Sequence, residues 1–382
     1  MKNSFYFILS VFVFILVSCS KDDASTPLPT LTTQAVTNVS GITITANGTI
    51  SQSGSDAILQ YGFCWSLQHN PTMNDFIYYE YGSNNGPYSA QITVEQPNKT
   101  YYLKAFAVNT NNQVVYGNEV SFTSGKVILS QQPTDILTTT ALLRGTTVET
   151  ANLTISSMGY CFNTSPNPTV LNQQISTSGG FGNFTIPVDN LTPNTVYYAK
   201  SFYYTNTGML FYGDEINFKT TGYYGASGGY VFYDKGETTN GWRYMELAPV
   251  TLNYNSTEIG ADWGCNSSLL SFTYPDLGKG LENTDHIIAT CSAANSAARL
   301  CANYSVNGLS DWFLPSKNEL EAMYLSLRKP GFLNTSIYNY IWSSTEFDAT
   351  NAYQVWYIYS TYSDAVTEPK SYNAVVTPVR RF

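Results

Sequence analysis

Apolar and polar positions alternate with a period of two over most of the chain, in short runs rich in Tyr, Phe, Thr and Val. Asn-Gly, Pro-Asn and similar turn pairs break these runs, so the stretch from about residue 36 to residue 220 reads as short β-strands. The period changes after Asp311-Trp312-Phe313-Leu314-Pro315. Leu320, Met323, Tyr324 and Leu327 then recur at helical spacing, behind a capping box in which Ser316 caps the helix and Glu319 returns the bond. Asn283 or Thr284 can cap a shorter helix through Ile287, Ile288 and Cys291, and Asn295 another containing Ala298, Leu300 and Cys301. Strand patterns flank these helices at 229–236 and 241–248 and again at 340–344, 352–359 and 374–380. Gly222 to Gly229 reads as a glycine-rich joint. It lacks the strand, turn and helix order and the Lys-Ser/Thr ending of a phosphate loop.

The strand-rich part repeats itself. Gly48 with Tyr61-Gly62-Phe63-Cys64 answers Gly145 with Met158-Gly159-Tyr160-Cys161, at a spacing of 97 residues. Thr100 to Ala107 answers Val196 to Tyr203, with Lys104 matching Lys200, and Tyr116-Gly117-Asn118-Glu119 answers Tyr212-Gly213-Asp214-Glu215 at a spacing of 96. A period near one hundred built from short alternating strands is what a small β-sandwich requires. Cys64 and Cys161 hold the same place in different copies, so each is alone in its module. A disulfide needs Cα atoms within about 7 Å, and these two read instead as small buried hydrophobes. His69 falls in a turn beside Asn70-Pro71 and is expected to be exposed and without a role.

Ahead of the repeats, Lys2 precedes an apolar run from Phe5 to Val17 that is thirteen residues long. A bilayer span needs roughly 20, so this is a signal segment and not a transmembrane helix. Residues 22–34 are rich in Thr, Pro and small polar residues without periodicity, and read as a loose tether.

Composition narrows the function. A chain of 382 residues suggests two to four domains. With 15% aromatic and 12% charged residues it suits β-rich exported modules better than a charged cytosolic enzyme. The net charge of -9 comes with no basic run, which argues against nucleic acid and against anionic membrane surfaces. The histidines are His69 and His286, so a histidine-rich metal site is excluded, and acid–base chemistry would rest on carboxylates or His286.

Four resemblances sharpen this outline. Leu16-Val17-Ser18-Cys19 resembles the lipobox of bacterial lipoproteins, which implies cleavage after residue 18 and acylation of Cys19; several acyl chains together hold a protein on a membrane where one would be marginal. Ser20-Lys21-Asp22-Asp23 resembles the short signal that sends Bacteroidetes lipoproteins to the outer face of the outer membrane. Residues 36–124 and 125–221 resemble tandem fibronectin type III-like modules of such lipoproteins, a likeness that implies a strand-end bond from the hydroxyl of Tyr101 or Tyr197. The series Gly228 to Tyr233, Trp263-Gly264-Cys265, Asn283-Thr284, Asp311 to Ser316 with Glu319-Leu320, Trp342 to Glu346 and Pro378 to Phe382 resembles a domain of unknown function at the ends of bacterial surface proteins. That domain is akin to the Fibrobacter succinogenes major paralogous domain and similar in fold to C-type lectin domains. It implies an α+β fold in which the first and last strands pair, with Trp263, Cys265, Cys291, Cys301, Asp311, Trp312, Glu319, Trp342 and Arg380 in structural roles.

The expected architecture is therefore multidomain: a signal peptide over 1–18, an acylated cysteine and tether over 19–35, two all-β sandwiches over 36–124 and 125–221, and an α+β C-type lectin-like domain over 222–382. Calcium-dependent sugar binders use a Glu-Pro-Asn or similar turn. Glu368-Pro369-Lys370 opens the same way but carries a lysine where the third oxygen ligand would stand, which argues against a calcium site. Of Cys265, Cys291 and Cys301, one pair is expected to be bonded and at least one thiol left free or buried. A zinc site from His286 and these three is weaker than an ordinary helix histidine, so neither metal nor cofactor is expected.

Candidate ligand-binding residues gather near the C-terminus: Tyr353, Trp356, Tyr357, Tyr359 and Tyr362, followed by Asp364 and Glu368. Alternation sets Tyr353, Tyr357 and Tyr359 on one face of a strand and Trp356 with Ile358 on the other. Aromatic rings with nearby carboxylates suit a glycan and would equally anchor a protein, unless helices and the loop from Cys265 to Lys279 cover both faces. The leading expectation is a non-catalytic lipoprotein of the outer membrane, exposed at the cell surface, whose terminal domain binds a glycan or a surface protein. The alternatives are an oxidoreductase of the formylglycine-forming kind using the C-terminal cysteines, and a purely structural or assembly component.

Overall fold

The computed structural model describes residues 28–52, 56–249, 260–327, 340–356 and 365–382. Cys19, Ser20, Lys21, Asp22 and Asp23 lie outside them, as do Tyr357, Tyr359, Tyr362 and Asp364. Contacts divide the chain into two compact units: the first runs through Ser124 without residues 40–42, and the second holds Gly125–Phe382 together with 40–42.

In the first unit the alternating segments become β1 (Thr30–Ser40), β2 (Thr43–Gln52), β3 (Ile58–Ser66), β4 (Phe76–Tyr81), β5 (Gly86–Thr93), β6 (Thr100–Asn109), β7 (Val114–Tyr116) and β8 (Val120–Thr123). They form two sheets, β1-β2-β5 and β4-β3-β6-β7, with β8 also paired to β6. Ile44, Ala46, Phe63, Leu103 and Ala105 point between the sheets and are fully buried. The Gly-aromatic-Cys strand has a steric cause: a Cβ on Gly62 would run into the carbonyl oxygen of Tyr78 on the neighbouring strand. Tyr101 is buried, and its hydroxyl accepts the Gln96 N–H at 2.9 Å, tying down the strand end.

The second unit opens with the same design. β9 (Ile128–Thr134), β10 (Ala141–Thr147), β11 (Ile155–Asn163), β12 (Gln173–Ser178), β13 (Gly182–Val188), β14 (Val196–Thr205) and β15 (Leu210–Lys219) form the sheets β13-β10-β9 and β12-β11-β14-β15. Gly159 meets the Ile175 carbonyl as Gly62 meets that of Tyr78, and the Tyr197 hydroxyl accepts the Thr192 N–H at 2.9 Å.

The repeated charged residues are turn staples. Glu119 accepts the N–H of Asn70 at 2.5 Å while Lys104 donates to the Asn70 side chain at 3.1 Å; Glu215, Asn167 and Lys200 repeat both bonds at the same lengths. Asn70 and Asn167 both turn the chain at φ 60, a conformation asparagine tolerates. His69 is largely exposed, with Nδ1 2.8 Å from Glu119 Oε1 and its ring against Tyr102. Cys64 and Cys161 are buried and unbonded, and burial pushes their thiols up to about 12 and about 11, away from reactivity.

The remainder of the second unit mixes helices with strands: β16 (Tyr223–Tyr224), β17 (Tyr230–Thr239), β18 (Trp242–Leu247), β19 (Gly260–Ala261), α1 (Gly280–Thr290), α2 (Ala297–Ala302), α3 (Lys317–Leu327), β20 (Tyr340–Glu346), β21 (Asn351–Trp356), β22 (Val366–Pro369), β23 (Ala374–Val375) and β24 (Val379–Arg381). The sheets are β16-β17-β18-β24 and β19-β23-β20-β21-β22. The capping box closes in both directions, with the Glu319 N–H donating to Ser316 Oγ at 3.3 Å and the Ser316 N–H to Glu319 Oε2 at 2.7 Å. Leu320, Met323, Tyr324 and Leu327 are buried in one core with Phe232, Met245, Phe313 and Ile341. A second core gathers Trp263, Ile287, Cys301, Leu314, Trp342 and Val376.

Five expectations need correction. The stretch read as a loose tether up to residue 35 ends sooner, because β1 begins at Thr30 and buries Leu31 and Thr33. The last strand, β24, pairs with β18 through Met245↔Arg381 and Leu247↔Val379, so it shares a sheet with the first long strand β17 without pairing to it. Asn283 and Thr284 lie inside α1, where their polar groups satisfy buried backbone: Asn283 bonds Tyr274 in both directions, and Thr284 Oγ1 donates to the Gly280 carbonyl and accepts from Leu314 N. Ser296, not Asn295, stands at the start of α2. The glycine-rich segment is not a joint, because Tyr223 and Tyr224 pair with β17 as β16 and Gly222 N donates to Val231 O at 2.9 Å.

The second sandwich is built into this region. Ile136 and Asp234 exchange backbone hydrogen bonds, both 2.9 Å, and Leu137 joins the core of Tyr230, Phe232 and Leu320. Thr138 Oγ1 donates to the Ser326 carbonyl at 3.0 Å, and the Tyr233 hydroxyl donates to Asp135 Oδ1 at 2.6 Å.

Candidate functional site

Two buried indoles position the loop that carries the site. Trp263 Nε1 donates to Ser343 O at 2.8 Å and Trp342 Nε1 to Ala261 O at 3.0 Å, so β19 and β20 are held together before the chain leaves at Cys265. A disulfide joins Cys265 to Cys291, Cα atoms 5.3 Å apart, and ties that loop to the end of α1. The loop then runs beside the end of β20. Glu346 N donates to Thr273 Oγ1 at 2.8 Å, and the Glu346 carboxylate accepts the N–H groups of Leu270 and Ser271 at 3.0 to 3.2 Å.

Lys370 completes the arrangement. Its side chain has no exposure, and Nζ donates to Glu346 Oε1 at 2.5 Å, Ser268 O at 2.9 Å and Ala349 O at 3.1 Å, over the Trp263 ring at 4.9 Å. All three ammonium hydrogens have an oxygen, which is the condition under which a buried charge is tolerated. One cation therefore pins three backbone segments: the loop after Cys265, the turn after β20, and the end of β22.

The pinned segments expose apolar side chains. Leu269, Phe272 and Phe347 are 59%, 60% and 55% exposed, and Tyr274 is exposed beside them in sequence. Phe272 meets His286 edge-on at 5.7 Å between ring centres, and Phe347 meets Tyr353 at 5.5 Å, with Lys317 Nζ 5.5 Å from the Tyr353 ring centre. Fixed backbone beneath exposed rings is an arrangement suited to contact with a partner surface. Asp348 is already spent: the Asn351 side chain and the Thr350 and Asn351 N–H groups hold its carboxyl down to about 2.

Of the sequence-derived ligand residues, Tyr353 and Glu368 are half-buried on adjacent strands, with Tyr353 opposite Thr367 and Glu368 opposite Ala352. Trp356 pairs through its backbone with Tyr340, and Ala352 and Gln354 are buried on one face of β21 while Val355 is buried on the other, so both faces of the strand are covered in part. Trp263, Trp312 and Trp342 are core residues. Arg380 bridges Glu246 at 2.8 Å and Asp311 at 2.9 Å, and Glu319 is fully buried.

Cys265 and Cys291 are bonded to each other and His286 Nε2 lies 3.2 Å from Leu270 O, so these three do not act together as metal ligands. Among the described residues no three His, Cys, Asp or Glu converge as a metal site. Cys301 is free and fully buried, with its thiol pushed well up by that burial. Sequence reasoning missed Leu269, Phe272, Phe347 and the Lys370 pin. The available signal was an aperiodic loop, 266–279, that carries large apolar residues where loops are ordinarily polar.

Tandem sandwich-like sheets followed by a helix-and-strand region define a multidomain, mostly β architecture compatible with binding or scaffolding. No protein-family profile matches the chain. No curated protein matches it. Among solved structures, it is similar in part to a crystal structure of chicken CNTN1 FN1–FN3 domains, at 15% identity over 50% of this chain and 68% of that one, with a TM-score of 0.20. Among the described residues, no helix is long and apolar enough to cross a membrane.

Proposed function

We propose that the chain is a non-catalytic surface lipoprotein, held to the outer membrane through acylated Cys19 and routed outward by Ser20-Lys21-Asp22-Asp23. Two fibronectin type III-like sandwiches present a C-type lectin-like head that binds a glycan or a protein. The observation that supports this reading is the pinned loop face, where Leu269, Phe272 and Phe347 are exposed around the buried Lys370–Glu346 pair. The formylglycine-forming alternative needs two accessible thiols, whereas Cys265 and Cys291 are joined and Cys301 is buried.

The test is binding of the full chain to glycan and protein arrays, with Phe272→Ala and Phe347→Ala compared at equal folded content. The expected result is a specific ligand whose affinity falls about tenfold or more in either variant. A folded chain with no ligand on either array would leave the structural or assembly reading in its place. The surface-held part is tested separately by mass spectrometry of the mature N-terminus, which should begin with a lipid-modified Cys19. A mature chain starting elsewhere, or without lipid, removes it.

A further inference from the structure

The two sandwiches share a backbone design but treat one strand differently. β4 in the first and β12 in the second are the outer strands of equivalent sheets, each paired on one side, to β3 and to β11 respectively. Register makes the positions comparable. Gly62 faces Tyr79 as Gly159 faces Ser176, Cys64 faces Ile77 as Cys161 faces Gln174, and Gln60 faces Tyr81 as Ser157 faces Ser178. The fold is met by Gln174, Ser176 and Ser178 in the second copy, so Ile77, Tyr79 and Tyr81 exceed what the module needs. Tyr79 and Tyr81 are 42% and 78% exposed. Natural edge strands are ordinarily short, bulged, proline-bearing or charged against pairing. β4 is a straight six-residue run of Phe, Ile and Tyr whose single charge, Glu80, is engaged by the hydroxyls of Tyr78 and Tyr61 at 2.8 and 2.9 Å.

Backbone direction fixes which groups are free. Gly82 N donates to Leu59 O at 2.9 Å, in register with the β3–β4 ladder. Because direction alternates along a strand, Phe76, Tyr78 and Glu80 turn their N–H and C=O toward β3, and Ile77, Tyr79 and Tyr81 turn theirs away. Among the described residues nothing pairs with that outer row.

We propose that the occupant of this edge is β4 of a second copy of the chain, running antiparallel about a two-fold axis through Tyr79. In that register Tyr79 faces Tyr79 of the second copy, and Ile77 faces Tyr81 in both directions. The outward N–H and C=O groups of all three residues then meet as hydrogen-bonded pairs. On the same face an aromatic pair is flanked by two aromatic–β-branched pairs, the combinations that favour cross-strand pairing. Tyr78 faces Glu80 across the axis on the other face, so no like charges are opposed. β12 in the same arrangement would set Ser176 against itself and Gln174 against Ser178, with little apolar gain. A six-residue edge buries less than the roughly 800 Å² per partner of a standard interface, so the dimer is weak and concentration-dependent.

Sedimentation equilibrium of the full chain over a wide dilution series tests the pairing. A monomer–dimer equilibrium is expected, weakened about tenfold or more by Tyr79→Lys, which opposes two ammonium groups on the axis, and unchanged by Ser176→Lys on β12. Melting curves of both variants confirm folding. Cysteine substitution reads the register: opposed Cα atoms lie about 5.5 Å apart in such a pair, within disulfide reach. Under mild oxidation Tyr79→Cys alone should cross-link into a dimer, whereas Tyr81→Cys should do so only with Ile77→Cys in the same chain. A monomer at every concentration, a dimer indifferent to Tyr79→Lys, or a folded Tyr79→Cys chain that does not cross-link would each overturn the proposal. So would capture of β4 by an extended segment of another protein in place of its own copy.

Discussion

Glu319 carries opposing demands within one side chain. It is fully buried, which pushes its carboxyl up to about 7, against the pull of N–H groups from Ser316, Gly280 and Gly278 that favour the charged form. An acid whose folded pKa is raised binds its proton more tightly when folded. Stability therefore falls as pH rises from the unfolded value near 4.5 through about 7, at about 1.4 kcal/mol for each unit of displacement. Urea melts of Glu319→Gln should lose that slope, and the variant should be less stable at pH 5 by about 1–3 kcal/mol because one carboxyl oxygen no longer accepts. An equally steep slope in the variant would assign the pH response to another group. Lys370 gives the converse case. Lys370→Met leaves the buried Glu346 without its cation and is expected to cost about 3–5 kcal/mol by denaturant titration, with part recovered when Glu346→Gln is added. Both outcomes follow from partners, and the two residues differed in how visible those partners were. Ser316 stands three positions before Glu319, so the capping box was readable in the sequence. Glu346 and Ser268 are 24 and 102 positions from Lys370, so the lysine looked only like a spoiled calcium ligand.

At the scale of elements, the strands and α3 were legible because their periodicity is set by burial on one face. What failed were features governed by distant neighbours. Asn283 and Thr284 have the chemistry of helix caps, yet the loop at Tyr274 and the backbone at Leu314 claim them, and α1 starts earlier at Gly280. The exposed rings of Phe272 and Phe347 belong to turns without a period, so nothing local marked them for the candidate site, and Tyr353 was found only because it lies on a strand. The loop before α1 depends on the Cys265–Cys291 disulfide, which closes a 26-residue separation. Reduction should cost about 2–4 kcal/mol. Hydrogen exchange should then speed up over 266–274 first, while amides in the second half of α3, packed in the core with Phe232 and Met245, stay protected.

At the scale of the whole molecule, the sequence suggested that the second sandwich and the C-terminal region meet at a glycine joint, and the structure instead gives them a common core. The reason lies in Asp135-Ile136-Leu137-Thr138, an unremarkable turn within the sandwich whose every member finds a partner in the other region. Calorimetry should accordingly show residues 125–382 melting as one transition and residues 28–124 as another. Leu137→Ala, which opens a cavity at the seam, should lower the first of these by about 2–5 kcal/mol and leave the second in place. Separate melting of the second sandwich and the C-terminal region in the unaltered chain would refute the shared core. The placement of Leu137 also bears on how such a protein could be recombined. A C-terminal region cut at Gly222 and grafted to a foreign carrier would arrive with a hole in its interior and the backbone of Asp234 unanswered. A graft that keeps this core whole has to include the second sandwich, from Gly125 onward.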